Sequence, residues 1–227
     1  MQLSQRLLAV ADLASAGHCL ADVGTDHGYI PIYLMEKGKY ERAIAMDVRK
    51  GPLLRAEENR KIHGFEDRMD LRLSDGVAAL REGEADTVVI AGMGGETIIA
   101  ILSAAAWTKD GAHTLLLQPM TKTADLRKWL AVNEYRFTEE RLVWDKNYLY
   151  PVLRVTGGEC PQLTELQALT GVLLADDPLY GEYLTQHKEK LRRAAEGLRR
   201  SGRENALCRA EELEKLIGGI GQIRSTT

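Results

Sequence analysis

Short apolar segments alternate with segments of helical periodicity along residues 18–119 of this 227-residue chain. Five of these segments have the length and composition of buried strands, and they cover residues 18–23, 42–48, 69–75, 86–92 and 113–119. Because enough chain for a helix separates each from the next, the pattern predicts βαβ units and a mostly parallel sheet. Two further runs, at 137–145 and 149–157, are joined by a few residues around Asn147, which predicts an antiparallel hairpin.

This order predicts an α/β fold with a mostly parallel, seven-stranded sheet that ends in an antiparallel hairpin. It resembles the Rossmann-like fold of S-adenosylmethionine-dependent methyltransferases more than the dinucleotide-binding dehydrogenase fold, whose last strand is ordinarily parallel. We expect residues 1–157 to form this catalytic domain and residues 158–227 to form a helical C-terminal domain.

The C-terminal region has a different pattern from about residue 176. Leu184, Leu191 and Leu198 recur every seven residues, and a second set of small and apolar residues follows Ser201-Gly202 at spacings of three and four. The second set consists of Ala206, Ala210, Leu213, Ile217 and Ile220. This pattern predicts a coiled-coil-like helical hairpin. The spacing alone does not decide whether the hairpin is a packing appendage or an arm that contacts a macromolecular partner.

Composition and charge narrow the functional classes. No run approaches the roughly 18 apolar residues of a membrane span, so we expect a cytoplasmic protein without a membrane partner. Three widely spaced cysteines without a C-x-x-C pair argue for reduced, structural thiols, and the five scattered histidines predict no metal site. The net charge of −3 neither demands nor excludes a nucleic-acid partner.

The segment ADVGTDHGYIP, residues 21–31, follows the first predicted strand and opens the next helix. Gly24 and Gly28 permit a close backbone approach to a ligand. Asp22 and Asp26 disfavour a pyrophosphate and suit a ligand with positive charge, such as an amino group or a sulfonium. The pattern D-x-G-x-D-x-G is therefore typical of the first motif of methyltransferases, although aspartate and glycine are also common in plain turns.

Acidic residues also end the second and third predicted strands. Asp47 lies where an acidic residue accepts hydrogen bonds from ribose hydroxyls, and Ser74-Asp75-Gly76 lies where an acidic side chain contacts adenine. Each is also compatible with an ordinary strand end or turn. Because ligands of open α/β sheets bind at the carboxyl ends of the strands, we expect all three carboxylates to face one crevice.

The fourth predicted strand ends in IAGMGGETI, residues 90–98, which is rich in glycine before a helix. A tight turn would explain this run, but several glycines cost chain entropy. We therefore interpret the run as bare backbone over which a methyl donor and a flat acceptor meet.

The order and spacing of five motifs resemble the TrmK family, the bacterial tRNA (adenine-22, N1)-methyltransferases. The motifs are DVGTDHGYIP, AIAMDVRKGPL, SDGVAAL, IAGMGGETI and LLLQPMTKTADLRKWL. The resemblance covers about residues 1–155 and implies S-adenosylmethionine as cofactor and tRNA as partner. It implies a cofactor site formed by Asp22, Gly24, Thr25, Gly28, Asp47, Val48, Ser74, Asp75, Gly76, Gly92, Met93 and Gly94. Met120 stands where some relatives carry asparagine, so no base contact is assigned to it.

The resemblance places Asp26 and His27 on the acceptor side. N1 of adenine has an in-plane lone pair and needs no deprotonation before attack, so positioning and stabilisation of the developing positive charge carry the chemistry. Asp26 is the candidate for that role, and His27 is the candidate for later proton transfer, with simple loop packing as its alternative.

The RNA-binding surface has two candidates. Residues 187–200 carry six Lys/Arg and two Glu, with Arg192, Arg193, Arg199 and Arg200 at near-helical spacing. Such a run is usually a solvated helix face, but beside an RNA-modifying domain it also suits phosphates. Residues 50–61 offer a second basic cluster.

The sequence is also compatible with two other functional classes. One is an S-adenosylmethionine-dependent enzyme that methylates a small molecule, and the other is a non-catalytic nucleotide-binding module. The sequence does not decide the oligomeric state, with a monomer slightly favoured.

Overall fold

The computed structural model describes residues 2–201 and 203–223, and the chain divides into two compact units between Gln162 and Leu163. Within the described residues, seven strands form one sheet. They are β1 (Gly17–Val23), β2 (Tyr40–Asp47), β3 (Met69–Leu73), β4 (Thr87–Gly94), β5 (Thr114–Thr121), β6 (Tyr135–Asp145) and β7 (Tyr148–Gly157). The spatial order is β3-β2-β1-β4-β5-β7-β6.

The first five strands pair in parallel, and β7 pairs antiparallel with both β5 and β6. The predicted Rossmann-like sheet with a terminal hairpin is therefore confirmed. The strand order reverses at β1, which has β2 on one side and β4 on the other. A crevice opens at such a reversal, at the carboxyl ends of the strands.

One helix of this first unit precedes β1 and the others connect successive strands, but turns alone join β3 to β4, where a helix was expected, and β6 to β7. The helices are α1 (Gln5–Asp12), α2 (Tyr29–Glu36), α3 (Lys50–Ile62), α4 (Gly95–Ser103), a 3₁₀ helix (Ala106–Lys109) and α5 (Thr123–Val132). The core forms where apolar strand residues meet helix residues, and Leu20 of β1, Ile32 and Leu34 of α2 and Leu116 of β5 are fully buried there. This packing fixes the strand ends that carry the polar residues described below.

Among the strand ends that differ from the sequence-based prediction, two lie beside the polar residues described below. β3 ends at Leu73 rather than at residue 75, so Ser74 and Asp75 lie in the following turn. β4 continues to Gly94 instead of ending at residue 92. It can do so because an irregularity in its pairing with β5 begins after Ala91 and accommodates the positive φ of 76° at Gly92.

The second unit contains α6 (Glu165–Thr170), α7 (Tyr180–Arg200) and α8 (Glu204–Gln222). α7 and α8 form the predicted hairpin, in which Ala195, Ala210 and Leu213 are buried against partly buried leucines. The predicted turn residue Gly202 lies outside the described residues. The sequence interpretation missed α6, although its capping box, Thr164 with Gln167, is a recognisable T-x-x-Q signal.

Candidate active site

A cavity of about 990 Å³ opens at the carboxyl ends of β1, β2, β3 and β4. Its volume lies in the range of roughly 300–1,000 Å³ that is usual for small-molecule sites. Twelve residues expected from the sequence line it: Asp22, Gly24, Thr25, Asp26, His27, Asp47, Val48, Ser74, Asp75, Gly76, Gly92 and Met93. The topology therefore brings together segments that are far apart in the chain.

Two predicted site residues, Gly28 and Gly94, do not line this cavity. Gly28 caps the start of α2 with a φ of 68°, and a Cβ there would lie 2.8 Å from Met69 Cε and 3.4 Å from Ala56 Cβ. A Cβ on Gly94 would lie 3.2 Å from Thr121 Oγ1. Both glycines are explained by packing behind the site, since each permits a close approach of neighbouring elements.

The Asp22 and Asp47 side chains are nearly buried at the ends of adjacent strands. Burial raises the pKa of the Asp22 carboxyl to about 6; the Thr25 hydroxyl opposes this rise, and the charge of Asp47 adds to it. Asp47 Oδ1 accepts a hydrogen bond of 2.8 Å from the Arg49 N–H, which orients its carboxylate. A cationic or hydroxyl-rich ligand would offset the cost of burying these carboxylates.

The turn after β1 positions Thr25 against the cavity. The N–H groups of Gly24 and Thr25 donate to the Met46 carbonyl oxygen at 2.8 and 2.9 Å. Gly24 has a φ of 76°, and a Cβ there would lie 2.2 Å from Met93 Cε. The Thr25 hydroxyl is buried and has no well-aligned hydrogen-bond partner within the described residues. It lies beside the Asp22 carboxyl, whose pKa it lowers, and both side chains line the cavity, where a polar ligand can contact them.

Asp26 and His27 are more exposed than the two buried carboxylates. The Asp26 carboxylate forms an ion pair with Arg55 of α3, and its Oδ2 lies 3.5 Å from His27 Nε2. The His27 ring stacks on Tyr29 with a centroid distance of 4.8 Å and an interplanar angle of 6°. Asn59 Nδ2 donates to the His27 carbonyl oxygen at 2.8 Å. Two neighbouring elements thus hold this loop at the cavity.

The turn after β3 carries the residues that were predicted to contact adenine. Asp75 is exposed at the cavity, while Ser74 is buried. Ser74 Oγ accepts from the Ala79 N–H at 3.0 Å and donates to the Gly76 carbonyl oxygen at 3.0 Å, which closes the turn. Ser74 therefore shapes the wall, and Asp75 is the side chain in this turn that is accessible to a ligand.

Several cavity residues were missed by the sequence interpretation. Arg6 of α1, Arg49 after β2, Thr97 and Ile101 of α4, and Trp107 of the 3₁₀ helix also line the cavity. Arg49 adjoins a predicted strand end and is the one that proximity in sequence could have suggested. Arg6 and Trp107 follow no strand, so no periodicity or spacing marks them.

No group of three or more potential metal-ligating side chains occurs within residues 2–201 and 203–223. The three cysteines, all in described positions, are free. In the part of the chain that the structure describes, no helix is long and apolar enough to cross a membrane.

Comparison with known proteins identifies the family to which this site belongs. Residues 3–153 match the family described as a methyltransferase domain. The chain is also 33% identical over 188 residues to the tRNA (adenine(22)-N(1))-methyltransferase of Bacillus subtilis (strain 168), a match that covers 83% of this chain and 77% of the relative. The chain belongs to the tRNA (adenine(22)-N(1))-methyltransferase family.

Two solved structures are similar to this chain over nearly its whole length. A Streptococcus pneumoniae protein in complex with S-adenosyl-L-methionine is 32% identical, covers 98% of this chain and 99% of its own, and has a TM-score of 0.84. TrmK of M. capricolum in complex with S-adenosyl-homocysteine is 26% identical, covers 99% of this chain and 100% of its own, and has a TM-score of 0.83. The resemblance to the TrmK family that the motifs indicated is thus confirmed.

Proposed function

We propose that this protein is an S-adenosylmethionine-dependent methyltransferase that methylates N1 of adenine 22 in tRNA. One structural observation carries the proposal. Asp22 and Asp47 lie at the ends of β1 and β2, Asp75 lies just after β3, and all three line a single cavity in a chain that belongs to the tRNA (adenine(22)-N(1))-methyltransferase family. A small-molecule substrate remains the alternative that the experiment below tests.

The cavity residues fit S-adenosylmethionine chemically. Bound S-adenosylmethionine supplies an electrophilic methyl group on a sulfonium. Asp22 and the neighbouring Thr25 hydroxyl suit its charged amino acid end, and Asp47 suits the ribose hydroxyls. Val48, Asp75 and Gly76 would hold the adenine, and Gly92 and Met93 would form the floor of the transfer site.

Asp26 is the residue we assign to the acceptor base. Adenine N1 attacks with its in-plane lone pair, so positive charge develops on the base as the methyl bond forms. The Asp26 carboxylate stabilises that charge by accepting a hydrogen bond from the exocyclic amino group. His27, 3.5 Å from Asp26, is placed to take a proton from that carboxylate or from the amino group.

The stacked His27 and Tyr29 rings support the assignment of this region to an extracted base. Aromatic side chains bind unpaired bases of RNA by stacking, and each such stack contributes about 1–3 kcal/mol. Both rings line the cavity beside Asp26. We assign Tyr29, partly buried at the start of α2, to contact with the flipped adenine.

The remaining assignments concern the whole chain. Residues 1–157 serve as the catalytic domain and residues 158–227 as a helical domain that assists tRNA binding. We place the protein in the cytoplasm, where tRNA modification occurs, and expect it to act as a monomer.

The proposal is tested with labelled S-adenosylmethionine and unmodified tRNA, followed by mapping of the methylated nucleotide. We expect label at N1 of adenine 22. A matched tRNA with guanosine at position 22 is the control, and it should remain unlabelled. Label on small metabolites without label on either tRNA would contradict the proposal.

A further inference from the structure

Arg6 of the N-terminal helix reaches the carboxyl edge of the sheet and lines the cavity. Its Nε donates to Asp145 Oδ2 at the end of β6, at 3.2 Å. One of its terminal nitrogens donates to Gln118 Oε1 of β5, at 2.7 Å. The Arg6 side chain is 19% exposed, so the guanidinium is largely withdrawn from solvent. One side chain therefore links α1, β5 and β6 beside the cavity.

Gln118 transmits this contact to the pairing irregularity in β4. It is fully buried, and its Oε1 also accepts the Gly92 N–H at 3.1 Å. Its Nε2 donates to the Pro119 carbonyl oxygen at 2.9 Å, which fixes which end of the amide faces Arg6. Gly92 adopts a φ of 76°, and Met93 follows it along the cavity wall. The amide of Gln118 is thus held from one side by Arg6 and holds Gly92 on the other.

Arg6 also lies directly above the strand irregularity. A Cβ added to Gly92 would lie 3.3 Å from one Arg6 terminal nitrogen and 4.0 Å from the other. The absence of a side chain at Gly92 therefore gives the guanidinium its place, and the guanidinium covers the backbone from the cavity side. Because the irregularity departs from regular strand pairing, its conformation needs such external contacts.

We propose that Arg6 is a positioning residue for methyl transfer, which sets the Gly92-Met93 backbone through the Gln118 amide. The inference rests on the proposed function, in which these two residues form the floor where methyl donor and base meet. An error of about 1 Å in such a floor can lower a rate about a hundredfold without removing any reacting group. The N-terminal helix is then part of the active site and not only a cap on the sheet.

Arginine is suited to this role because its planar fork donates in two directions at once. The Nε group satisfies Asp145 while a terminal nitrogen satisfies Gln118. A lysine ammonium at the same position is a compact point donor and does not reproduce both directions. Arg6→Lys keeps the charge and much of the stem, so it separates the effect of the fork from the effect of the charge.

The test compares Arg6→Met, Arg6→Lys and wild type in single-turnover methylation of tRNA. We expect Arg6→Met to lower the rate roughly tenfold to a hundredfold and Arg6→Lys to lower it at least about fivefold. The affinities for S-adenosylmethionine and for tRNA should stay within about threefold of wild type. Arg141→Met is the matched control, since Arg141 is an exposed arginine of β6 that pairs with Glu139, and it should retain the wild-type rate.

A readout without cofactor or substrate tests the same geometry. In the cofactor-free protein, Arg6→Met should shift the NMR signal of the Gly92 amide and speed its hydrogen exchange, because Gln118 loses the contact that orients it. In a Gln118→Met background, Arg6→Met should cause little further loss of rate, because the hydrogen bonds that connect Arg6 to Gly92 through Gln118 are already absent. If Arg6→Met does not fold, Arg6→Lys and its Gly92 signal carry the test.

Three results would overturn the inference. The first is a wild-type rate in Arg6→Lys and Arg6→Met, and the second is an unchanged Gly92 signal in both. The third is a weakened tRNA affinity with an unchanged single-turnover rate, which would make Arg6 an RNA contact instead. Each differs from failure of the proposed function, in which the wild-type protein itself does not methylate tRNA.

Discussion

The carboxyl edge of the sheet and the α7–α8 hairpin place their charged residues in opposite ways. At the sheet edge, Asp22 and Asp47 are buried and face a cavity. On α7, Arg193 and Arg200 are exposed and pair with Glu189 and Glu196 of the same helix. Parallel strands end at one edge of the sheet, so carboxylates that are distant in sequence converge there. A long helix instead exposes its charges to solvent along its length.

This difference has an energetic consequence. Burying a carboxylate without a full set of partners costs free energy, which a bound ligand can recover. An exposed ion pair contributes only about 0–1 kcal/mol, so a phosphate can replace the glutamate at little cost. We therefore expect substitutions at the sheet edge to have large, specific effects and substitutions on the hairpin to have small, salt-dependent effects.

The largest effect is expected for Asp26→Ala, because it removes the carboxylate assigned to the acceptor base. The single-turnover rate should fall about a hundredfold, at the lower end of the range for general acid–base and charge-stabilising groups. Affinity for S-adenosylmethionine should change little, as measured by calorimetry. Asp26→Asn is the control that keeps the shape without the charge, and a near-normal rate there would assign Asp26 to hydrogen bonding alone.

Asp47→Ala is expected to weaken S-adenosylmethionine binding about tenfold to a hundredfold. The loss corresponds to about 1.5–3 kcal/mol, the usual contribution of hydrogen bonds to a charged group. Calorimetry measures it, and the thermal transition checks the fold. The matched control is Asp70→Ala, since Asp70 is a half-exposed carboxylate of β3 that pairs with Arg72. Equal affinities in the two variants would make Asp47 an ordinary strand-end residue.

The sheet and its site could be predicted from sequence because local signals and topology agree there. Each strand is an apolar run with a polar residue at its end, and the parallel arrangement determines where those ends meet. The spacing of Asp22, Asp47 and Asp75 was therefore sufficient to place them around one crevice. The sequence did not distinguish two roles for Gly28, because a glycine required for a positive φ and one required for a ligand look the same in sequence.

Tertiary contacts explain what the sequence could not provide. Arg6 belongs to a helix that precedes every strand, and its partners Gln118 and Asp145 are more than 100 positions away. In the basic cluster of residues 50–61, Arg55 pairs with Asp26, and Arg60 and Lys61 pair with Glu57. Charge counts along a helix do not reveal such pairing.

A third, smaller effect concerns pH at the buried Asp22. Its pKa in the folded protein, about 6, lies above the ordinary value of 3.8, so the folded state retains the proton more strongly than the unfolded state. The contribution of Asp22 to stability therefore falls as the pH rises from about 4 to 6 and is constant above. A cationic ligand group prefers ionised Asp22, so its affinity rises over the upper part of the same window.

We expect the affinity for S-adenosylmethionine to fall about fivefold between pH 6 and pH 5, as protonation removes most of the Asp22 charge. Asp22→Asn should abolish that dependence and weaken binding at pH 7. The same variant should raise the Tm of the cofactor-free protein at pH 7, because it removes a buried charge. A pH profile in Asp22→Asn that matches wild type would assign the titration to another group.

The smallest effect is expected on the hairpin, and Arg192 is its sharpest test. Arg193, Arg199 and Arg200 pair with Glu189, Glu214 and Glu196, whereas exposed Arg192 has no ion-pair partner within residues 2–201 and 203–223. If the hairpin contacts RNA, Arg192 can bind a phosphate without first releasing a glutamate. Arg192→Gln should weaken tRNA binding about threefold. It should also make the slope of log affinity against log salt concentration, the salt slope, shallower by about 0.7–0.9, the value for one phosphate contact.

Glutamine is a comparable helix former, so α7 should remain intact in this variant. Arg209→Gln on α8 is the matched control, because Arg209 is also exposed to solvent but is paired with Glu212. It should change the affinity and the slope less than Arg192→Gln does. S-adenosylmethionine affinity should be unaffected in both variants. If Arg192→Gln binds tRNA with the wild-type affinity and salt slope, the hairpin does not present Arg192 to RNA, and the two regions differ in function as well as in charge placement.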